Sequence, residues 1–381
     1  MMNDRSGTTR GKLLWIAPLL LTAVMTLAAC GGRTLRQSYA IRQNAKFDHV
    51  ELMVSIEDFI AAGFQFGDSC DVSYSNGLTL EDVPFFSGFY VRRGAPVIVG
   101  YPGYEEIIMT RNNQGLWTDA GLRDGDTVTV TLREAGKYKY VQETLAQTYS
   151  DDRADFRDDE QFSNFRALRG GRLKDGFLYR GVSPVDNAHN RAACTDALLK
   201  AHGIRFILDL ADSEEELRAY RETAGASSDH TAKLYDDGQM VPLNMSSSYE
   251  SEEYKQKLAV GLRRMTAEEG PVYIHCQEGK DRTGFVCLLL EALAGADYYE
   301  MCDDYMKTYD NYYGITKETD PEKYDAIVSL YFNGFASYLH GTEDPAALST
   351  ADYSQDAVRY LLDAGMTADE IDALRAMITK E

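Results

Sequence analysis

The chain has 381 residues, 44% of them apolar and 26% charged, with only 9 prolines. That balance supports a real core and a length suited to two domains, so disordered, collagen-like and low-complexity readings fall away. With 39 lysines and arginines against 60 acids the formal charge is −21, which repels a phosphate backbone and sets nucleic acid aside as a partner.

The first element in chain order is an address. Residues 1–12 carry Arg5, Arg10 and Lys12 against Asp4, an apolar run follows over 13–29, and then comes Cys30. A basic start, an apolar middle and a small-residue end predict a secretory signal peptide over 1–29. A bilayer span takes about 20 apolar residues, so this run is short, and Pro18 interrupts it. Leu27-Ala28-Ala29-Cys30 resembles the lipobox of bacterial lipoproteins. The resemblance implies cleavage before Cys30 and acylation of its sulfur. The mature protein would then be extracytoplasmic and lipid-anchored to the bacterial cell membrane. An uncleaved anchor helix is the alternative. Lipidation of Cys30 leaves Cys70, Cys194, Cys276, Cys287 and Cys302, an odd set that forms no evident disulfide framework. No Cys/His spacing suggests zinc, and neither metal nor cofactor is expected.

Residues 30–46 read as a linker. From 47 to 145 the texture is β: Thr127-Val128-Thr129-Val130-Thr131-Leu132 alternates as a half-buried strand does. Turn signals recur at Ser75-Asn76-Gly77, Tyr101-Pro102-Gly103 and Arg123-Asp124-Gly125, which predicts a small barrel or sandwich. Residues 146–160 form an acidic linker, expected to be solvated.

Beyond it, over 161–381, strand and helix alternate as in an α/β domain with a central sheet. A buried strand is expected over 203–210, and Ser213 with Glu216 opens a helix as a capping box. A helix over 252–269 ends at Gly270-Pro271, a short strand covers 272–275, and an apolar helix covers 284–293. Gly365 and a Thr367/Glu370 box mark a helical hairpin at the C-terminus.

Between that last strand and the apolar helix stands His275-Cys276-Gln277-Glu278-Gly279-Lys280-Asp281-Arg282-Thr283-Gly284. A run of the form His-Cys-x-x-Gly-x-x-Arg-Ser/Thr-Gly is expected by chance on the order of a few times per million such chains. A cysteine at a strand end, then an arginine at a helix start, makes a closed loop. Its amides and the helix N-terminus cradle a tetrahedral dianion without a metal. The phosphate-binding residues are then Gln277, Glu278, Gly279, Lys280, Thr283 and Gly284. Arg282 forks to two oxygens of the anion. The same field favours a thiolate at Cys276, a nucleophile aimed at phosphorus. Thr283 lies near enough to hydrogen-bond the sulfur, and Gly279 and Gly284 let the backbone approach the ligand. His275 is expected to orient the loop and not to act as a base.

The loop resembles the signature of the cysteine-dependent protein tyrosine phosphatases, in the bacterial form of the tyrosine/serine (IphP-type) family. Asn164-Phe165-Arg166-Ala167-Leu168 and Gly176-Phe177-Leu178-Tyr179-Arg180 are similar to that family's opening motifs, with Ala167 and Gly181 where it has aspartate and serine. A third departure is Asp209-Leu210-Ala211 in place of Asp-Leu-Arg. The resemblance implies a dual-specificity-phosphatase-like central sheet flanked by helices, preceded here by the small β-rich domain. It implies hydrolysis of phosphotyrosine protein or another phosphomonoester through a phosphocysteine, with phosphoserine/threonine or phosphoinositides as further substrates. The stretch 241–248, where relatives carry a mobile acid, holds none. In enzymes with a Lys-Asp-Arg loop the loop aspartate has been given that role, so Asp281 is the first candidate for general acid. Asp209, Asp212 and Asp237 are the alternatives.

Two other readings stand beside this one: a rhodanese- or arsenate-reductase-like thiolate enzyme, and a surface lipoprotein that binds phosphorylated ligands without turnover. Arg166, Arg169, Arg172, Lys174 and Arg180 against one acid form a local basic run, either a solvated face or a rim that steers anions.

Overall fold

The computed structural model describes residues 35–222 and 229–380, so the expected signal peptide and Cys30 lie outside it. Seven strands come first: β1 (Arg36–Asn44), β2 (His49–Ser55), β3 (Ser69–Tyr74), β4 (Thr79–Phe86), β5 (Pro96–Val99), β6 (Glu106–Arg111) and β7 (Thr127–Glu134). They close into a barrel in the order β1-β2-β6-β5-β4-β3-β7. On β7, Val128 and Val130 turn inward while Thr127 is exposed, the alternation expected of it. Val50, Leu52, Val72, Val83, Ile98 and Met109 fill the interior with them. Phe59, from the helix Ile56–Ala61, stacks on Phe64 at 4.4 Å and joins that core.

The strand β1 corrects the expected linker over 30–46. It carries one fully buried residue, Ile41, so its periodicity gives almost no signal. Barrel closure explains it: β1 pairs with both β2 and β7, whose edges would otherwise stand open.

The acidic segment 146–160 is also more ordered than a solvated connection. Its charges face water, but Arg191, 1% exposed, reaches into it. Arg191 donates to the carbonyls of Ser150 and Phe162, both at 2.8 Å, and lies 4.5 Å from the Phe162 ring centroid.

Five strands follow: β8 (Arg166–Ala167), β9 (Leu178–Gly181), β10 (Phe206–Asp209), β11 (Met240–Pro242) and β12 (Val272–His275). They form a sheet in the order β11-β10-β12-β9-β8, parallel except for β8. Every residue of β9, β10 and β12 is buried, as parallel strands covered on both faces should be. The helix Glu214–Glu222 opens on reciprocal Ser213 and Glu216 bonds. Glu252–Thr266 ends three residues before the expected point, and the last pair of helices, Tyr353–Asp363 and Ala368–Ile378, flanks Gly365. The helix after β12 spans Asp281–Leu293 and starts three residues earlier than expected. It is buried from Thr283 to Leu293, a helix enclosed on all sides. No helix among the described residues is long and apolar enough to cross a membrane.

This topology decides where chemistry sits. In a parallel sheet the loops at the C-terminal strand ends share one edge, and β12 lies at the centre of it.

Candidate active site

Four consecutive carbonyls of the loop after β12 face partners on its outer side, and a fifth opens the helix. The Cys276 oxygen faces His275 Nδ1 at 3.3 Å, and that of Gln277 accepts from the Ser183 amide at 3.0 Å. Tyr312 Oη donates to the Glu278 oxygen at 2.7 Å. The Gly279 oxygen accepts from Arg180 Nη2 at 2.8 Å and Asn164 Nδ2 at 3.3 Å. The Lys280 oxygen accepts from the Gly284 amide at 2.8 Å, the first bond of the helix. In a trans peptide the N–H opposes the C=O, so turning the oxygens of 276–279 out turns the amides of 277–280 toward the loop's interior. Lys280 caps the helix without a side-chain bond, which leaves the first-turn amides free as well. The result is a ring of donors at the positive end of a helix, a site for a tetrahedral anion.

The outer ring of this loop is charged and buried. Asp304 pairs with Arg166 at 2.6 Å and Arg180 at 2.5 Å. Asn164, in a left-handed conformation with φ of 48°, accepts from Arg166 at 2.7 Å and Asn311 at 3.0 Å. Arg180 and Asn164 belong to the two motifs that carried the resemblance, and they act here as braces. Arg172 and Lys174 donate to carbonyls near residue 380. The basic run is therefore largely structural, and a steering rim is not what most of it builds.

Glycine at 279 and 284 is also demanded by packing. A Cβ on Gly279, at φ of 64°, would fall on the carbonyl of Gly181. One on Gly284 would meet the Tyr305 ring at 3.0 Å.

Inside the ring, Cys276 is 4% exposed at the end of β12. Arg282 Nη1 donates to the Met245 carbonyl at 2.9 Å, and its Nη2 to the Gln277 side chain. The stretch 241–248, which lacks an acid, thus holds the arginine. Thr283 is buried and its hydroxyl has no hydrogen-bond partner, so the expected bond to the sulfur is not formed. His275 is fully buried, and burial lowers its pKa to about 4. A neutral imidazole donating through Nδ1 to its neighbour's carbonyl suits an orienting role.

The acids differ in placement. Asp281 opens the helix, 3.8 Å from Lys280 Nζ, and its side chain keeps 56% of its surface. The bulk of protein around this exposed carboxyl raises its pKa against the pull of Lys280. Asp209 and Asp212 lie at the same edge of the sheet but are 0% and 1% exposed. Burial lifts both, and the pair retains a proton with no opening toward a leaving group. Asp237 precedes β11, at the opposite edge, and pairs with Lys233. Glu278 turns away from the ring: it accepts from Tyr149 at 2.9 Å and meets Lys280 at 3.1 Å. Burial would lift its carboxyl, but Lys280 and Tyr149 hold it below the ordinary range. Glu278 and Lys280 thus lend the ring their backbones, while their side chains pair with each other.

Sequence reasoning missed Asp304, Asn311, Tyr312 and Ser183. The first three share the helix Tyr298–Tyr313. Polar residues at helical spacing on a face that is otherwise tyrosine and methionine were the available signal.

The family model described as the tyrosine phosphatase family matches residues 154–380, more than half of the chain. The chain belongs to the tyrosine phosphatase family. No curated protein matches it. Similar solved structures include an uncharacterized conserved protein from Thermotoga maritima, 13% identical over 24% of this chain and 35% of that one, with a TM-score of 0.23. This family member spans about a third of that protein's length. TpbA from P. aeruginosa is 19% identical over 56% of this chain and 95% of its own, also with a TM-score of 0.23. The family match begins at residue 154, and the barrel strands lie wholly before it.

Proposed function

We propose that the chain is a protein tyrosine phosphatase of the IphP type that hydrolyses phosphate monoesters through a phosphocysteine. The observation that carries this reading is the outward turn of four successive carbonyls, from Cys276 to Gly279, into the helix start. Cys276 Sγ attacks phosphorus, the bond from phosphorus to the ester oxygen breaks, and Asp281 gives that oxygen its proton. Water then attacks phosphorus, the S–P bond breaks, and the water's proton passes to Asp281. Inorganic phosphate leaves. The inward amides and Arg282, swung off Met245, would balance the equatorial charge in both steps. Phosphotyrosine is the proposed substrate, and phosphoserine, phosphothreonine and phosphoinositides are the further ones to assay. Hydrolysis of p-nitrophenyl phosphate without added metal, lost in Cys276→Ser, tests the reading. Persistence of the activity in that variant overturns it.

We also propose that acylation at Cys30 anchors the protein outside the cell membrane. The supporting feature is the lipobox-like sequence. Mass spectrometry of the mature N-terminal peptide tests it: a diacylated Cys30 start supports the anchor, and an unmodified Met1 start removes it.

A further inference from the structure

Tyr149 belongs to the acidic segment, before the residues that the family match covers, and yet it reaches the catalytic loop. Its phenol donates to Glu278 Oε1 at 2.9 Å. A carboxylate only accepts and a phenol has a single proton, so this bond takes that proton. The second oxygen, Glu278 Oε2, meets Lys280 Nζ at 3.1 Å, and the same ammonium lies 3.8 Å from Asp281 Oδ2. On the outer side His189 Nε2 faces the phenol oxygen at 3.3 Å, and His189 Nδ1 lies 2.9 Å from Asp151 Oδ1. An unbroken row of polar contacts thus runs from Asp151 through His189, Tyr149, Glu278 and Lys280 to Asp281, the proposed acid.

The phenol in the middle of this row is itself held. Its ring stacks on that of Tyr312 at 4.8 Å between centroids, and the Arg191 guanidinium lies 4.9 Å from its centroid. Tyr312 donates to the backbone oxygen of Glu278 at 2.7 Å, so one stacked pair of tyrosines grips both the main chain and the side chain of that residue. Burial, with Glu278 after it, pushes the Tyr149 titration upward, so its proton stays in the bond.

Lys280 has one charge and two carboxylates within reach, and its division between them sets the field at Asp281. The bond from Tyr149 satisfies one oxygen of Glu278, which weakens the pull of that carboxylate on the ammonium and leaves Lys280 beside Asp281. We infer that Tyr149 is a positioning residue: its bond to Glu278 sets how the Lys280 ammonium is shared between Glu278 and Asp281, and with it how readily Asp281 releases its proton. This rests on the phosphatase reading, with Asp281 as the acid, and adds to it a brace from outside residues 154–380. After the protein bulk that raises Asp281, the charged groups that act on it are Lys280, Glu278, Arg282 and Arg180. The phenols its charge acts on, Tyr101, Tyr305, Tyr309, Tyr313 and Tyr331, all titrate above the ordinary phenol value. They stay neutral where carboxyls titrate, so none of them competes for Lys280.

The test follows the carboxyl 13C resonance of Asp281 through a pH titration of the full chain, assigned by its loss in Asp281→Asn. Tyr149→Phe keeps the stack on Tyr312 and removes only the bond. Glu278 then draws Lys280 toward itself, and the Asp281 midpoint rises by about 0.5 pH unit or more. Glu278→Gln removes the competing charge and lowers the midpoint. In the Glu278→Gln background Tyr149→Phe adds no further shift. A merely structural role leaves the Tyr149→Phe midpoint where it was, and that result, or a fall, overturns the proposal. So does a Glu278→Gln midpoint that stays or rises, or an equal Tyr149→Phe shift in both backgrounds. Turnover separates this proposal from the reading it rests on, because the falling limb of kcat on a phosphotyrosine peptide moves with the resonance where Asp281 is the acid. Resonance shifts as stated in a protein that hydrolyses no phosphate ester refute the phosphatase reading and uphold the coupling of Tyr149 to Asp281. A limb that stays in place while the resonance moves gives the proton to another group and overturns the role in acid release.

Discussion

The Arg180 guanidinium donates to the Gly279 carbonyl at 2.8 Å from 99 residues upstream in the chain. This bond joins the most specific part of the sequence to β9, the strand paired directly with β12, and it runs from a side chain that is 1% exposed. Its cost is a buried cation, which Asp304 offsets.

Asp304 serves two buried guanidiniums, so its removal strands both. Asp304→Asn is expected to lower stability by about 3–5 kcal/mol, read as a shift in the urea midpoint. The loss has a pH signature. Burial alone would raise the Asp304 pKa, but Arg166 and Arg180 outweigh it and hold the carboxyl below its ordinary value. A folded value below the unfolded one gives stability that is complete above about pH 4 and lost as pH falls through the folded value. The asparagine variant should lack that part of the acid dependence.

Gly279→Ala tests the geometry of the loop more locally. Its methyl group would collide with backbone at Gly181, and its φ of 64° strains any L side chain. The loop must then move away from β9, which releases the Gly279 carbonyl from Arg180 and turns its neighbour's amide. Activity on p-nitrophenyl phosphate is expected to fall by about 100-fold or more, because one misaligned donor in an oxyanion site already costs that much. Thermal denaturation separates this from unfolding: a transition within a few degrees of wild type, together with the lost rate, is the expected outcome.

Asp281→Asn addresses the proton. A general acid must be protonated to act, so its rate contribution falls as pH rises through its pKa. Because the Asp281 pKa is raised, that falling limb should stand above the ordinary carboxyl range. The asparagine variant should lose the limb. It should also lose about 100-fold in kcat on phosphotyrosine and much less on p-nitrophenyl phosphate, whose phenolate leaves with little help. Equal losses on the two substrates would assign the proton to another group.

The ten-residue loop and its neighbouring strand and helix were legible because their chemistry is local: the cysteine, the arginine and the helix start lie within seven residues. The braces were not. Asp304, Asn311 and Tyr312 reach the loop only through tertiary packing, and no spacing in the chain announces that Arg180 will meet Gly279. β1 was hidden for a related reason. Its outward residues are polar apart from Ala40 and only Ile41 is fully buried, so barrel closure and not periodicity makes it a strand. Thr283 shows a different kind of gap. Its type and spacing predict a bond to sulfur, but the hydroxyl stands buried and unpartnered.

The most direct test of the account is rapid acid quench of the enzyme during turnover of a phosphotyrosine peptide, followed by mass spectrometry of the peptide that contains residue 276. The account predicts a phosphoryl group on the Cys276 sulfur that accumulates within one turnover and decays with release of inorganic phosphate. Full turnover with an unmodified Cys276 at every quench time would contradict it.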